Sequence, residues 1–374
     1  MANINDYIRW RGDLPINSKF PFNEIDSMIM ARFSYLLFER ISMDKIETIE
    51  SLSLKLDKFE NDEFRYNGDK ELIKELGRSP RFKNLKVTDF VRNNELENEK
   101  QFSAIVIHLP KNEIYVSYIG TDATLYGWKE DFNMAFMDDV PCQSAGKEYL
   151  EKVANKYKRK KIRIGGHSKG GNVAIYSAIT VDRQIQDRII KVYNYDGPGF
   201  NSKVIKKYAK AHILDKIESY FPQDSMIGRL LNHKEKYKIS LSDEKGFYQH
   251  NIYSWQVLKT DLVFSETHTK NSEIMNKTVV SWLENTTPEQ RKICVDTIFE
   301  ILYSTEADTF KDLSKNLAKS LPVIMKKYDE ISKEDRKMMT NVILEFVKIY
   351  VNLSLNNEKN EVKGKFSKLK KIKE

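Results

Sequence analysis

The sequence predicts an α/β fold with a mostly parallel central sheet, an N-terminal helical segment before it and a C-terminal helical extension after it. Three observations carry this. Residues 161–176 read as a strand, a glycine-bounded turn holding one serine, and a helix that begins at once with small residues. Segments of strand character flank this unit and alternate with helical ones, and strands joined through helices run parallel. Beyond Lys270 strand character stops and apolar residues recur at helical spacing.

In chain order, Ile25, Met28, Ile29, Phe33, Leu36 and Leu37 form one stripe, the core face of an amphipathic helix. Residues 42–80 are charged and weakly periodic, with turn signals at Asn67-Gly68-Asp69 and Gly77-Arg78-Ser79-Pro80, so short helices and loops are expected there. Strand signals begin at Val87 and recur over residues 102–108 and 113–119, the last two joined through Pro110-Lys111-Asn112 as an antiparallel hairpin. A helix follows over 145–157, then the serine-bearing unit. Further strands at 191–195 and 217–221 end at Asp196-Gly197-Pro198-Gly199 and Pro222-Gln223-Asp224-Ser225. Parallel strands place their carboxyl ends on one edge, so Ser168, Asp196 and Asp224 share a rim.

After Lys270, Thr287-Pro288-Glu289-Gln290 is a capping-box start with proline at the first helical position, and Ser332 opens a second helix. Shared capping grammar explains the likeness of the two starts without a duplication. The expected organisation is a helical segment at 1–80 packed on the core, a catalytic core at 81–270, a helical region at 271–360 and a disordered basic tail at 361–374.

Composition narrows the function classes. Apolar residues make up 40% of the 374 and charged ones 31%, and no run approaches the ~20 apolar residues of a membrane span. The first residues lack a basic stretch followed by an apolar one, so a cytoplasmic location is expected. Cys142 and Cys294 stand far apart without metal-ligand spacing, which argues against a disulfide framework and a zinc site; no metal and no cofactor is implied. The net charge of +8 comes from 62 basic residues interleaved with 54 acidic ones, so nucleic acid is not expected as a partner. Only the end, where residues 363–373 hold six lysines, is one-sided; peripheral membrane contact there is the lesser reading beside a solvated tail.

Gly166-His167-Ser168-Lys169-Gly170 is a G-x-S-x-G nucleophile elbow, in which a strained strand-to-helix turn lifts the serine above the sheet and flanking glycines avoid backbone collisions. A serine needs a histidine to take its proton and a carboxylate to orient that histidine. The expected order is serine, acid, histidine. His250, before an aromatic-rich stretch, is the expected base; His233 and His268 lie among charged or hydroxylic residues and read as solvent-facing. Asp224 is the expected acid and Asp196 the alternative. The oxyanion hole needs the N–H of Lys169 and one from an earlier loop, for which Thr121 after Gly120 is suited. The Lys169 side chain itself reads as solvated.

These stretches resemble a known family. Residues 118–122, Trp128-Lys129-Glu130-Asp131-Phe132 and Gly165-Gly166-His167-Ser168-Lys169-Gly170-Gly171-Asn172 are similar to the lipase class 3 group of α/β hydrolases, and most closely to its Mbeg-like bacterial members, a family without an assigned function. Trp10-Arg11-Gly12-Asp13, Pro222-Gln223-Asp224-Ser225, Gln249-His250 and Trp255 extend the likeness over roughly residues 1–260. The resemblance implies Ser168, Asp224 and His250 as a triad and Thr121 as an oxyanion-hole residue. It has two departures: Ile119 stands where class 3 proteins carry arginine, and residues 133–139 are too short and acidic for an interfacial lid, which favours a soluble ester. The function expected is therefore cleavage of a small-molecule or lipid carboxylic ester through an acyl-enzyme. An acyltransferase on the same triad, or a non-catalytic hydrolase-fold scaffold, is the alternative.

Overall fold

A computed structural model describes the backbone over residues 1–371 and the side chains over residues 1–355. The strands are β1 (Glu47–Thr48), β2 (Lys86–Glu95), β3 (Lys100–Leu109), β4 (Glu113–Ile119), β5 (Lys161–His167), β6 (Ile189–Tyr195), β7 (Ile217–Pro222), β8 (Tyr237–Ser240), β9 (Val257–Leu258), β10 (Asp261–Leu262) and β11 (Phe264–Ser265). Nine of them form one sheet in the order β1-β2-β3-β4-β5-β6-β7-β8-β11, and β9 and β10 pair apart from it.

The sheet is mixed. From β4 to β8 neighbouring strands are parallel, whereas β1 to β4, and β11 against β8, are antiparallel. The expectation of a mostly parallel sheet is corrected by two tight connections, after Glu95 and after Leu109, which leave no room for a crossover helix and force reversal. The reversal at Pro110-Lys111-Asn112 is the expected one, with Lys111 and Asn112 both at φ 60°. β8 and β11 carry no clear sequence signal.

Adjacent residues of a strand point to opposite faces, and β5 uses this closely. A Cβ on Gly165 would meet Tyr115 and Ser27, on the side of helix Glu24–Phe33, whereas one on Gly166 would meet Gly170 of helix Lys169–Thr180. Helices therefore cover both faces, which explains why Ile105, Val106, Ile107, Tyr115 and Val116 are all buried. Helix Glu24–Phe33 is started by a capping box between Asn23 and Asp26 and stops earlier than its apolar stripe, at Ser34, although Leu36 remains buried. Helix Pro141–Lys156 begins four residues before the expected start, because Pro141 occupies the first helical position and the Gln143 side chain accepts from the Val140 N–H.

The chain divides into two compact units, the first covering residues 1–134 and 138–268, the second 135–137 and 269–374. The N-terminal helices thus belong to the same unit as the sheet. Buried ion pairs join the parts of this segment to one another, Arg81 with Asp26 and Arg32 with Asp69, while hydrogen bonds such as Ser117 to Ser34 and the Tyr195 hydroxyl to the Glu24 carbonyl join it to the sheet. The second unit consists of helices Lys270–Asn285, Pro288–Tyr303, Phe310–Lys315, Leu317–Glu330 and Lys333–Lys371. Cys294, Met339 and Val342 form its small core with Trp282 and Ile298 against them. Thr287 and Gln290 cap each other as their spacing predicts. Helical backbone continues to Lys371 through most of the region expected to be a disordered tail; residues 372–374 lie outside the described residues.

Candidate active site

Ser168 sits between the end of β5 and the helix Lys169–Thr180, at φ 59° and ψ −135°. A non-glycine residue holds such a conformation only where its surroundings over-determine it, at a cost of about 1–3 kcal/mol. The surroundings here are a hydrogen bond from the Ser168 N–H to the Tyr195 carbonyl at 2.9 Å and two backbone approaches that only glycine permits. A Cβ on Gly166 would lie 2.4 Å from the backbone of Gly170, and one on Gly170 would lie 2.3 Å from the Tyr118 carbonyl. Both glycines are required by close packing.

The Ser168 hydroxyl stands 2.9 Å from Nε2 of His250, and Nδ1 of His250 stands 2.7 Å from a carboxylate oxygen of Asp196. The carboxylate accepts only, so Nδ1 carries the proton and Nε2 is left to accept from the serine. The acid against His250 is therefore Asp196, and the expectation of Asp224 is corrected. Asp196 follows β6 at φ 53°, and its second oxygen accepts from the Ser225 hydroxyl at 2.5 Å and from the Gly228 N–H at 3.1 Å. Asp224 instead holds the histidine loop: its carboxylate accepts from the Gly246 N–H at 2.9 Å, and its own N–H donates to the Gln249 side chain at 2.8 Å. Both aspartates lie on the rim that the parallel strands predict; only the loop path after β8 selects between them. Among the other histidines, His233 is turned inward against Glu235 at 2.8 Å rather than toward solvent, and His268 lies 3.2 Å from the Gln223 carbonyl.

Thr121 follows β4, and its loop abuts the elbow. The Tyr35 hydroxyl accepts from the Gly120 N–H and donates to the His167 carbonyl, each at 2.8 Å, so one phenol joins the loop to the turn. Arg65, from the N-terminal segment, donates to the Thr121 carbonyl at 2.5 Å. The Thr121 hydroxyl donates to Asp131 at 2.5 Å. Burial pushes the Asp131 carboxyl up to about 6, although the charge of Lys169 and the Thr121 hydroxyl act against the rise.

Lys169 is not solvated. Its side chain is 1% exposed, its ammonium lies 2.7 Å from Glu130 and 3.0 Å from the Gln101 side chain, and it stays protonated because the carboxylates of Glu130 and Asp131 outweigh the cost of burial. Gln101 in turn donates to the Gly120 carbonyl at 3.2 Å and accepts from the Asp122 N–H at 3.2 Å. One buried network thus ties the residue after the serine to the loop of Thr121.

His167, inside the elbow, faces the His250 carbonyl through Nε2 at 2.8 Å, and the two imidazoles lie with centroids 4.5 Å apart. Burial, and secondarily the nearness of His250, keep His167 well below the ordinary histidine range, so it stays neutral beside the base. Tyr35, Arg65, Gln101 and His167 were not singled out as site residues from the sequence; Glu130 and Asp131 were visible only as part of the family-like Trp–Asp stretch. No cluster of His, Cys, Asp and Glu fit to hold a metal occurs among the described residues.

A family model described as Mbeg1-like matches residues 76–300, more than half of the chain. The chain belongs to the Mbeg1-like family. The match to this family contains Thr121, Ser168, Asp196 and His250; it begins at residue 76 and continues to residue 300, whereas the resemblance was expected over roughly residues 1–260. Similar solved structures include a mutant form of MDLA from Penicillium cyclopium (12% identity, TM-score 0.38, 66% of this chain and 87% of that one), the Lip2 lipase of Yarrowia lipolytica (13%, 0.33, 58% and 76%) and a lipase from Rhizopus microsporus var. chinensis (12%, 0.34, 56% and 72%). None of the curated proteins matches the chain.

Proposed function

We propose that the protein is a serine hydrolase that cleaves a carboxylic ester through an acyl-enzyme. The observation that carries this reading is the continuous chain from the Ser168 hydroxyl through His250 to Asp196, at 2.9 and 2.7 Å, starting from a serine held in a strained backbone conformation. As the Ser168 oxygen attacks the ester carbonyl, its proton passes to Nε2 of His250, and the imidazolium is stabilised by the Asp196 carboxylate. The carbonyl oxygen takes up negative charge, for which the N–H groups of Lys169 and Thr121 are the proposed donors. Collapse expels the alcohol, which receives the proton from His250. Water then repeats the sequence on the acyl-enzyme and releases the carboxylic acid. The neutral, buried His167 adds no competing charge beside the imidazolium.

The test is labelling of the purified protein with a fluorophosphonate probe, which reacts with an activated serine and not with a merely exposed one. Labelling and turnover of short p-nitrophenyl esters are expected for the wild type and absent from Ser168→Ala and His250→Ala. A folded wild type that neither labels nor turns over any ester would overturn the reading.

A further inference from the structure

The second unit carries apolar surface that its own helices do not cover. On helix Leu317–Glu330, Leu317, Leu321, Met325 and Tyr328 are exposed at spacings that place them on one face, so the apolar stripe points outward. Helix Lys333–Lys371 packs one side on its neighbours, where Met339 and Val342 are buried and Trp282 donates to the Val342 carbonyl at 3.0 Å. Its other side exposes Leu344, Val347, Val351 and Leu355. Over Lys333–Leu355 this helix is long and apolar enough to cross a membrane, yet only 11% of its most apolar window is buried. A core helix of that composition would be mostly buried, and exposed apolar stripes on two helices mark an interaction surface.

Charge identifies the occupant. Residues 317–374 hold fourteen lysines and arginines against eight acids, an excess of six within a chain whose whole excess is eight. Lys326 and Lys348, beside the two stripes, are 81% and 70% exposed. A second copy of the chain would bring like charges together, and a nucleic acid would leave the apolar stripes uncovered. Acidic headgroups above acyl chains match both features. Protein occupies one side of helix Lys333–Lys371 at Met339 and Val342, so the opposite side is the one left for lipid, the arrangement of a helix lying along a bilayer surface. We infer that the C-terminal unit docks on the surface of an anionic lipid bilayer, with the stripes of helices Leu317–Glu330 and Lys333–Lys371 among the acyl chains and the lysines among the headgroups. This inference does not depend on the chemistry of Ser168.

The experiment is flotation of the full chain with vesicles of phosphatidylcholine alone and of phosphatidylcholine mixed with phosphatidylglycerol. Binding to the mixed vesicles, weak binding to the neutral ones and loss of binding as salt rises are expected. Met325→Glu and Val351→Glu each remove a large apolar side chain from the lipid and are expected to weaken binding by about tenfold or more, with far-UV dichroism and Tm unchanged. Lys326→Gln is expected to weaken it by about fivefold. Flotation with neither vesicle, or equal flotation with both, would overturn the inference. So would a wild type that is dimeric in solution and is split by Met325→Glu, which would assign the face to a second copy.

Discussion

Asp196 and Asp224 lie at the ends of neighbouring strands, yet only one faces the histidine, and their substitutions separate accordingly. Asp196→Asn keeps the shape of the site but removes the acceptor that keeps the proton on Nδ1 of His250, and kcat is expected to fall by about 10⁴. Asp224→Asn weakens the hydrogen bond from Gly246 and is expected to cost about 1.5–3 kcal/mol of stability with a far smaller effect on kcat; ester turnover and urea unfolding measured side by side distinguish the two. Asp131 adds a pH dependence. Its folded-state pKa of about 6 lies above the value of an unfolded aspartate, so the native state binds more protons between those two values. Its contribution to stability is therefore fully present below about pH 4 and is lost as pH rises through about 6. Asp131→Asn, which still offers Thr121 an acceptor, is expected to raise the urea midpoint relative to the wild type above that range and not below it.

At the scale of elements, β3, the helix Leu125–Asn133 and the helix Lys169–Thr180 meet in the Gln101–Glu130–Lys169 network. Removing one charge of a buried pair strands the other, so Lys169→Met and Glu130→Met are each expected to lose about 3–5 kcal/mol, whereas the double substitution loses less than their sum. A double-mutant cycle by chemical unfolding measures that coupling. The network also shows why the Lys169 side chain was misread. A lysine in a turn has a solvated surface as its default, and the partners that reverse this lie 39 and 68 residues upstream. The elbow, by contrast, was legible because all its requirements are local: an alternating apolar strand, Gly166, Ser168, Gly170 and small residues in the next helix.

At the scale of the whole first unit, the N-terminal segment reaches the loop that carries His250. Asp69, paired with the buried Arg32, accepts from the Tyr253 hydroxyl at 2.7 Å, and Tyr253 lies three residues after His250. Asp69→Asn breaks this junction. It is expected to cost about 3–5 kcal/mol and, in the fraction that remains folded, to lower kcat while leaving the pH profile of the base in place, because His250 loses support without losing Asp196. Thermal unfolding together with ester turnover over a pH series checks both parts.

Near neighbours along the chain suffice to specify the strand–elbow–helix with Ser168, the hairpin at Pro110-Lys111-Asn112, the capped helix at Thr287 and the helical character beyond Lys270. The sequence also narrowed the histidine that faces Ser168 to His250 by order and surroundings, and the carboxylate beside it to two aspartates. Tertiary structure decided between those aspartates, because a side chain's partner is set by where a loop returns in space, and β8 and the path to His250 carry no local signal. It likewise decided that Lys169 is buried, that Arg65 and Tyr35 brace the Thr121 loop, and that the sheet is mixed. Each of these rests on contacts between residues distant in sequence, whose free energy exists only once the chain has folded.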